Sequence, residues 1–149
     1  LNRTNQNSVS VSISQAIFSG DTKKLQSLLE NFMLQSISAM DGANEAFYHG
    51  MMLGLCAVLG NRYQVRSNRE SGRRRFDVQL APLVSGIPGF LFEFKHTNDE
   101  HVDLDVLADS ASRQIDEKKY DAELRSAGIN SVIKIGIAFR GKNAVVKRK

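Results

Sequence analysis

One cysteine, Cys56, is all the thiol this 149-residue chain carries. A single cysteine closes no internal disulfide. It sits inside LGLCAVLG, an apolar setting that reads as core, and no base lies near it in sequence to make it a nucleophile. The chain also lacks any CxxC or HxxxH pair, which removes a structural zinc site. No apolar run is long enough to span a bilayer; the longest candidate, around Met51–Leu59, is short and follows a polar, helix-like segment. The polar start LNRTNQNSVS is not a secretory signal, so the expected location is cytoplasmic, with no membrane partner. The first residue is Leu1 rather than Met, which leads us to expect a domain cut from a longer chain. Internal repeats and low-complexity tracts are missing as well.

What is present is an ordinary globular composition, 42% hydrophobic and 24% charged, sized for one domain with a real core. The net charge is +4. That permits nucleic-acid binding without demanding it. Its distribution says more. Arg62, Arg66, Arg69, Arg73, Arg74 and Arg75 crowd one stretch, and acid collects in TNDEHVDLDVLAD. The arginines read either as a solvated loop or as a grip on phosphates, with Arg69, Arg73 and Arg74 the candidates.

Residues 1–13 read as a linker or frayed end. Leu25, Leu28, Leu29, Phe32, Met33 and Ile37 recur at helical spacing, and Asp21 or Ser19 is placed to cap that helix. A second helix is expected from about Gly42 to Leu59. Strands follow at Tyr63–Arg66, Phe76–Leu80 and Phe90–Lys95, with SNRESGRRR as a loop between the first two. A helix is expected from Asp103 to Leu124, then strands at 132–139 and Ala144–Lys147, the last at an edge.

The segment GFLFEFKH, residues 89–96, carries the chemistry. Strand side chains alternate faces, so Phe90, Phe92 and Phe94 point one way and Leu91, Glu93 and Lys95 the other. The preceding strand, FDVQL, puts Asp77 and Gln79 on one face. If the two strands form a hairpin, Asp77 lies beside Glu93. Two neighbouring carboxylates repel unless a cation neutralises them, and hard oxygen ligands suit magnesium or manganese. A lysine on the same face suits an attacking water or the charge developing on a phosphate. The bland alternative is a surface strand pair with a routine salt bridge. Glu45 and His49, four apart on one helix face, likewise read as surface acid and hydrogen-bonded histidine, or as part of a site. His96 alternates away from Lys95, against a metal role.

Asp77 followed by Glu93-Phe94-Lys95 in an αβββαβ order resembles the PD-(D/E)XK nuclease superfamily. SNRESGRRRFDVQL, FEFKH, RQIDEKKYDAEL and VIKIGIAFRGKNAVV resemble one branch of it, the nuclease-like domains found C-terminal to AAA-ATPase-like domains in bacterial proteins. The residue before Asp77 is Phe76 rather than the proline of the family pattern. The resemblance implies an α/β, restriction-endonuclease-like core, with a mixed central sheet flanked by helices and an extra N-terminal helix. It divides the chain into a linker and helix over 1–40 and a nuclease-like domain over 41–149. It implies that Asp77 and Glu93, with Glu45 and the main-chain carbonyl of Phe94, hold Mg2+ or Mn2+. Lys95 would be the catalytic lysine, and Gln114, with Tyr120 nearby, would line the site. The implied function is metal-dependent hydrolysis of phosphodiester bonds, of DNA by family habit, by a metal-activated water. The alternative is an inactive nucleic-acid-binding or protein-docking module of a larger ATPase-like protein.

Overall fold

The computed structural model describes residues 2–36, 44–67 and 77–149. Its centre is a five-stranded mixed sheet of β1 (Tyr63–Ser67), β2 (Val78–Pro82), β3 (Gly89–His96), β4 (Val132–Arg140) and β5 (Asn143–Arg148), lying side by side in chain order. β1, β2 and β3 form an antiparallel meander. β4 returns parallel to β3, and β5 folds back antiparallel on β4. The parallel pair requires a crossover, and the helix between β3 and β4 supplies it. The expected αβββαβ order with a mixed sheet is therefore the observed one.

Strand alternation sorts the core into two layers. Phe90, Phe92 and Phe94 join Val78, Leu80, Ile135, Ile137 and Phe139 on the face covered by α1 (Asn2–Ser19), α2 (Thr22–Ser36) and α3 (Glu45–Cys56). Cys56 is fully buried there, and burial pushes its thiol up to about 12, as befits an inert core residue. On the other face Leu91 packs with Ile115 and Leu124 beneath α4 (Leu104–Glu117) and α5 (Ala122–Ser126), while Ala138 packs with Leu104 and Ala108.

Two expectations need correction. The polar first thirteen residues are helical from Asn2 rather than linker, because Ile13, Ala16 and Ile17 share one helical face and bury it in the main core. The helix expected over 103–124 is two helices. Lys119 takes a left-handed backbone (φ 53°), and the amide of Tyr120 bonds back to the Ile115 carbonyl at 3.3 Å. That turn redirects α5 so that Leu124 reaches the patch around Leu91 and Ile115. The helix expected from Gly42 is α3, continued by a single 3-10 turn, Ala57–Leu59; Gly42 itself lies outside the described residues. Asp21 caps α2 by accepting the Lys24 amide at 3.1 Å.

Lys134 on β4 fastens the helical layer to the sheet. Its ammonium lies 2.8 Å from Asp116 and 3.5 Å from Asp121, and Arg125 pairs with Asp121 as well. The Lys134 hydrogen bond holds Asp116 below the usual carboxylate range. At Asp121 desolvation pushes upward, but hydrogen bonding to Arg125 and the Lys134 charge outweigh it and leave that carboxyl lowered too. A lowered carboxyl contributes stability that is present above its unfolded pKa of about 3.9 and lost as the pH falls through the folded value. Removing the lysine in Lys134→Ala should therefore flatten the decline of melting temperature below about pH 4. Thermal melts of both proteins between pH 2 and 7 check this; parallel curves would show that the cluster contributes nothing.

Candidate active site

The β2–β3 ladder ends at the pair Val78–Phe92, and Asp77 stands one residue beyond it. The Asp77 amide donates to the Phe92 carbonyl at 2.9 Å. At the next step the acceptor is the Asp77 side chain: the Phe94 amide donates to its Oδ2 at 2.7 Å. In a ladder the N–H and C=O of one residue leave the backbone on the same edge. The Phe94 carbonyl thus faces the same gap as the Asp77 carboxylate rather than β4.

α3 approaches that gap from one layer. Asn44 caps it through the Phe47 amide at 3.0 Å, which sets Glu45 in the first turn. Tyr48 anchors it: the ring stacks on Phe139 at 4.5 Å, and the hydroxyl donates to the Gly141 carbonyl at 3.0 Å. Burial raises the Tyr48 pKa, so the phenol stays protonated as a donor. Gly141 makes the β4–β5 turn with φ 58°, a conformation that favours glycine. Next to Tyr48 on α3, His49 is buried; its Nε2 lies 2.7 Å from Ser67 Oγ and its Nδ1 4.0 Å from Asp77 Oδ1.

α4 approaches from the other layer. Asp103 caps it through the amides of Asp105 and Val106, and Arg140 donates to the carbonyls of Asp99 and Val102, at 3.1 and 2.7 Å, tying the preceding loop to the end of β4. Leu107 and Gln114, seven apart on one face, then overlook β3. Gln114 Nε2 lies 3.4 Å from Glu93 Oε1.

The result is a cleft of about 410 Å³ lined by Glu45 from α3, Glu93, Phe94, Lys95 and His96 from β3, and Leu107 and Gln114 from α4. Five positions singled out in the sequence thus meet at one place. Asp77 is not among the residues that line this cleft; it is 5% exposed and adjoins it, its carboxylate accepting the amide of the lining residue Phe94 and lying 4.0 Å from His49 Nδ1. His96, set aside in the sequence, is on the cleft wall, with its ring 5.9 Å from that of Tyr48. Tyr120 packs instead with the Leu91 patch. Arg69, Arg73, Arg74 and Phe76 lie outside the described residues. The sequence left the partner of His49 open; the structure sets it against Ser67 and Asp77.

A sequence model of the PD-(D/E)XK nuclease superfamily matches residues 43–149, a span that contains the whole cleft. The chain belongs to the PD-(D/E)XK nuclease superfamily. No curated protein matches the chain. The match covers α3 through β5 and leaves out α1 and α2, although both pack on the same core.

Members of this superfamily typically use divalent metals. Among the described residues no three histidine, cysteine, aspartate or glutamate side chains form a ready-made metal cluster. The donors present are nevertheless of the right kind. A buried carboxylate at Asp77, carboxylates at Glu93 and Glu45, and the Phe94 carbonyl are all hard oxygen donors, the set that magnesium and manganese prefer. No helix among the described residues is long and apolar enough to cross a membrane.

Proposed function

We propose that this domain is a magnesium- or manganese-dependent nuclease that hydrolyses phosphodiester bonds of DNA. The observation that carries the reading is the convergence of Glu93, Lys95, Glu45 and Gln114 on one cleft, with the Asp77 carboxylate bonded to the strand between Glu93 and Lys95. Asp77 and Glu93 hold the cation with the Phe94 carbonyl, and Glu45 completes the acidic set. When bound, the divalent ion supplies Lewis acidity and neutralises charge at the phosphoryl oxygens. Lys95 orients the attacking water and offsets negative charge that develops on the phosphate. Gln114 steadies the Glu93 carboxylate, and Leu107 covers one side of the cleft. Arg69, Arg73 and Arg74 take backbone phosphates, an assignment made on charge alone. The ATPase-like neighbour implied by the sequence resemblance has no counterpart in the family match and does not enter this proposal.

The test is cleavage of labelled linear, supercoiled and single-stranded DNA, with RNA alongside, in magnesium, manganese or EDTA. Cleavage should require the metal. Glu93→Gln should raise the metal concentration needed for half-maximal cleavage by at least about tenfold. Cleavage that survives EDTA would count against the metal-dependent mechanism, and a folded protein that cuts nothing would favour a binding module.

A further inference from the structure

A second and larger cleft, of about 710 Å³, opens on the same face of the sheet, between β2 and the segment from α5 to β4. Its size falls in the range of small-molecule sites. Gln79 lines it and is 1% exposed, yet its Oε1 finds no hydrogen-bond partner among the described residues. A buried amide oxygen without a partner carries a desolvation penalty. On that face Gln79 sits between Leu91 of β3 and Arg66 of β1, with Ala81 and Leu124 nearby, and none of the bonds among the described residues reaches its Oε1. Gln79 is therefore the feature that points to a ligand.

The surroundings define the ligand's chemistry. Gln64 and Asn130 bring two further amides to the cleft, and Arg66 stands at the rim, reaching Gln64 at 2.9 Å and Glu123 at 3.5 Å. Leu83 and Val84, 58% and 51% exposed, and Ile129 give it an apolar wall. Amides present a donor and an acceptor side by side, as base edges do, and an apolar wall suits the face of a planar ring. Position completes the argument. Gln79 is paired with Leu91, two residues before Glu93 on the same strand face. Two strand residues span about 7 Å, or roughly two stacked base steps.

We infer that the Gln79 cleft is a nucleobase pocket, which takes an unstacked base of the strand held at the Glu93–Lys95 cleft, with Gln79 reading the base edge. The inference rests on the nuclease reading in that nucleic acid must cross this face. The base comes from a single strand or is turned out of a duplex; the chemistry is shared.

Wild type, Gln79→Leu and Asn130→Ala would be titrated in EDTA with single-stranded oligonucleotides and their duplexes. Each would carry 2-aminopurine or an abasic site at successive positions. Both variants should weaken binding of base-bearing oligonucleotides by at least about fivefold. The loss should vanish for the oligonucleotide abasic at the occupied position, where 2-aminopurine fluorescence should also change on binding. Comparing the two oligonucleotide forms identifies the source of the base. Gln79→Leu should melt at or above the wild-type temperature, since leucine removes an unpartnered polar group. A Gln79→Leu protein several degrees less stable would assign Gln79 a structural role and overturn the pocket. Variants that bind every oligonucleotide as wild type does, while wild type still cleaves, would overturn the pocket and leave the nuclease standing. Wild type that neither binds nor cleaves nucleic acid would overturn both.

Discussion

Lys95→Ala is expected to slow metal-dependent DNA cleavage by on the order of 100- to 1,000-fold, the usual loss when one preorganised group that stabilises transition-state charge is removed. Lys95 lines the cleft between α3 and α4 and is only partly buried, so the truncation opens no core cavity. The melting temperature should therefore stay close to wild type, as for most surface substitutions. DNA binding in EDTA should weaken only slightly, because one cation among many is lost. That split between a large effect on turnover and a small one on binding and stability is what separates a catalytic lysine from a solvated one. Lys95→Arg sharpens the contrast. Arginine keeps the charge but brings a bulkier, planar group that does not release a proton near neutral pH. Failure of arginine to restore activity would point to the compact ammonium and its proton, and full rescue would point to charge alone. A Lys95→Ala enzyme within about threefold of wild type would sink the assignment. The residue would then be the routine surface partner that the sequence also allowed.

The face that Lys95 occupies was legible because strand parity is a strict rule. Once residues 89–96 are extended, Phe90, Phe92 and Phe94 must share one side and Leu91, Glu93 and Lys95 the other. The two packing clusters follow that division, with the phenylalanines in the main core and Leu91 beneath α4 and α5. The family match supports the fold on which that parity rests. The course of Asp77 was not legible. Alternation places it on the Glu93 face, but the ladder stops at Val78, and a carboxylate released from the ladder turns to the nearest open donor, the Phe94 amide. Strand ends are set by tertiary contacts and not by residue pattern. The break at Lys119 was hidden for a similar reason. Helical periodicity averages over several turns and is blind to one left-handed residue. At Gln79 the pattern showed a polar residue on a sheet face; that the side chain is buried beside a cleft depends on α5, whose direction the same break determines.

Gly136→Ala is expected to be strongly destabilising. Gly136 lies on β4 opposite Glu93 of β3 and faces α4. A Cβ at this position would come within 2.5 Å of the Ala108 carbonyl oxygen and would also collide with the Ser112 amide nitrogen. Both are main-chain atoms of α4, so no rotamer change relieves the overlap; the helix itself has to move. We expect a loss of about 3 kcal/mol, the upper part of the usual range for overpacking. For a chain of this size that is a fall in melting temperature of roughly 6–12 °C. Activity should fall further than the loss of folded protein explains, because α4 carries Leu107 and Gln114 into the cleft. Gly50 supplies the control. It lies within α3, and a Cβ there meets nothing within 4 Å. Alanine at that position gains helix propensity at no steric cost and should stabilise by about 0.5–1 kcal/mol. Opposite signs for the same chemical change would tie the cost at Gly136 to the close approach of helix and strand. Equal effects would mean that α4 sits farther from the sheet and that the Gln114–Glu93 contact has another basis.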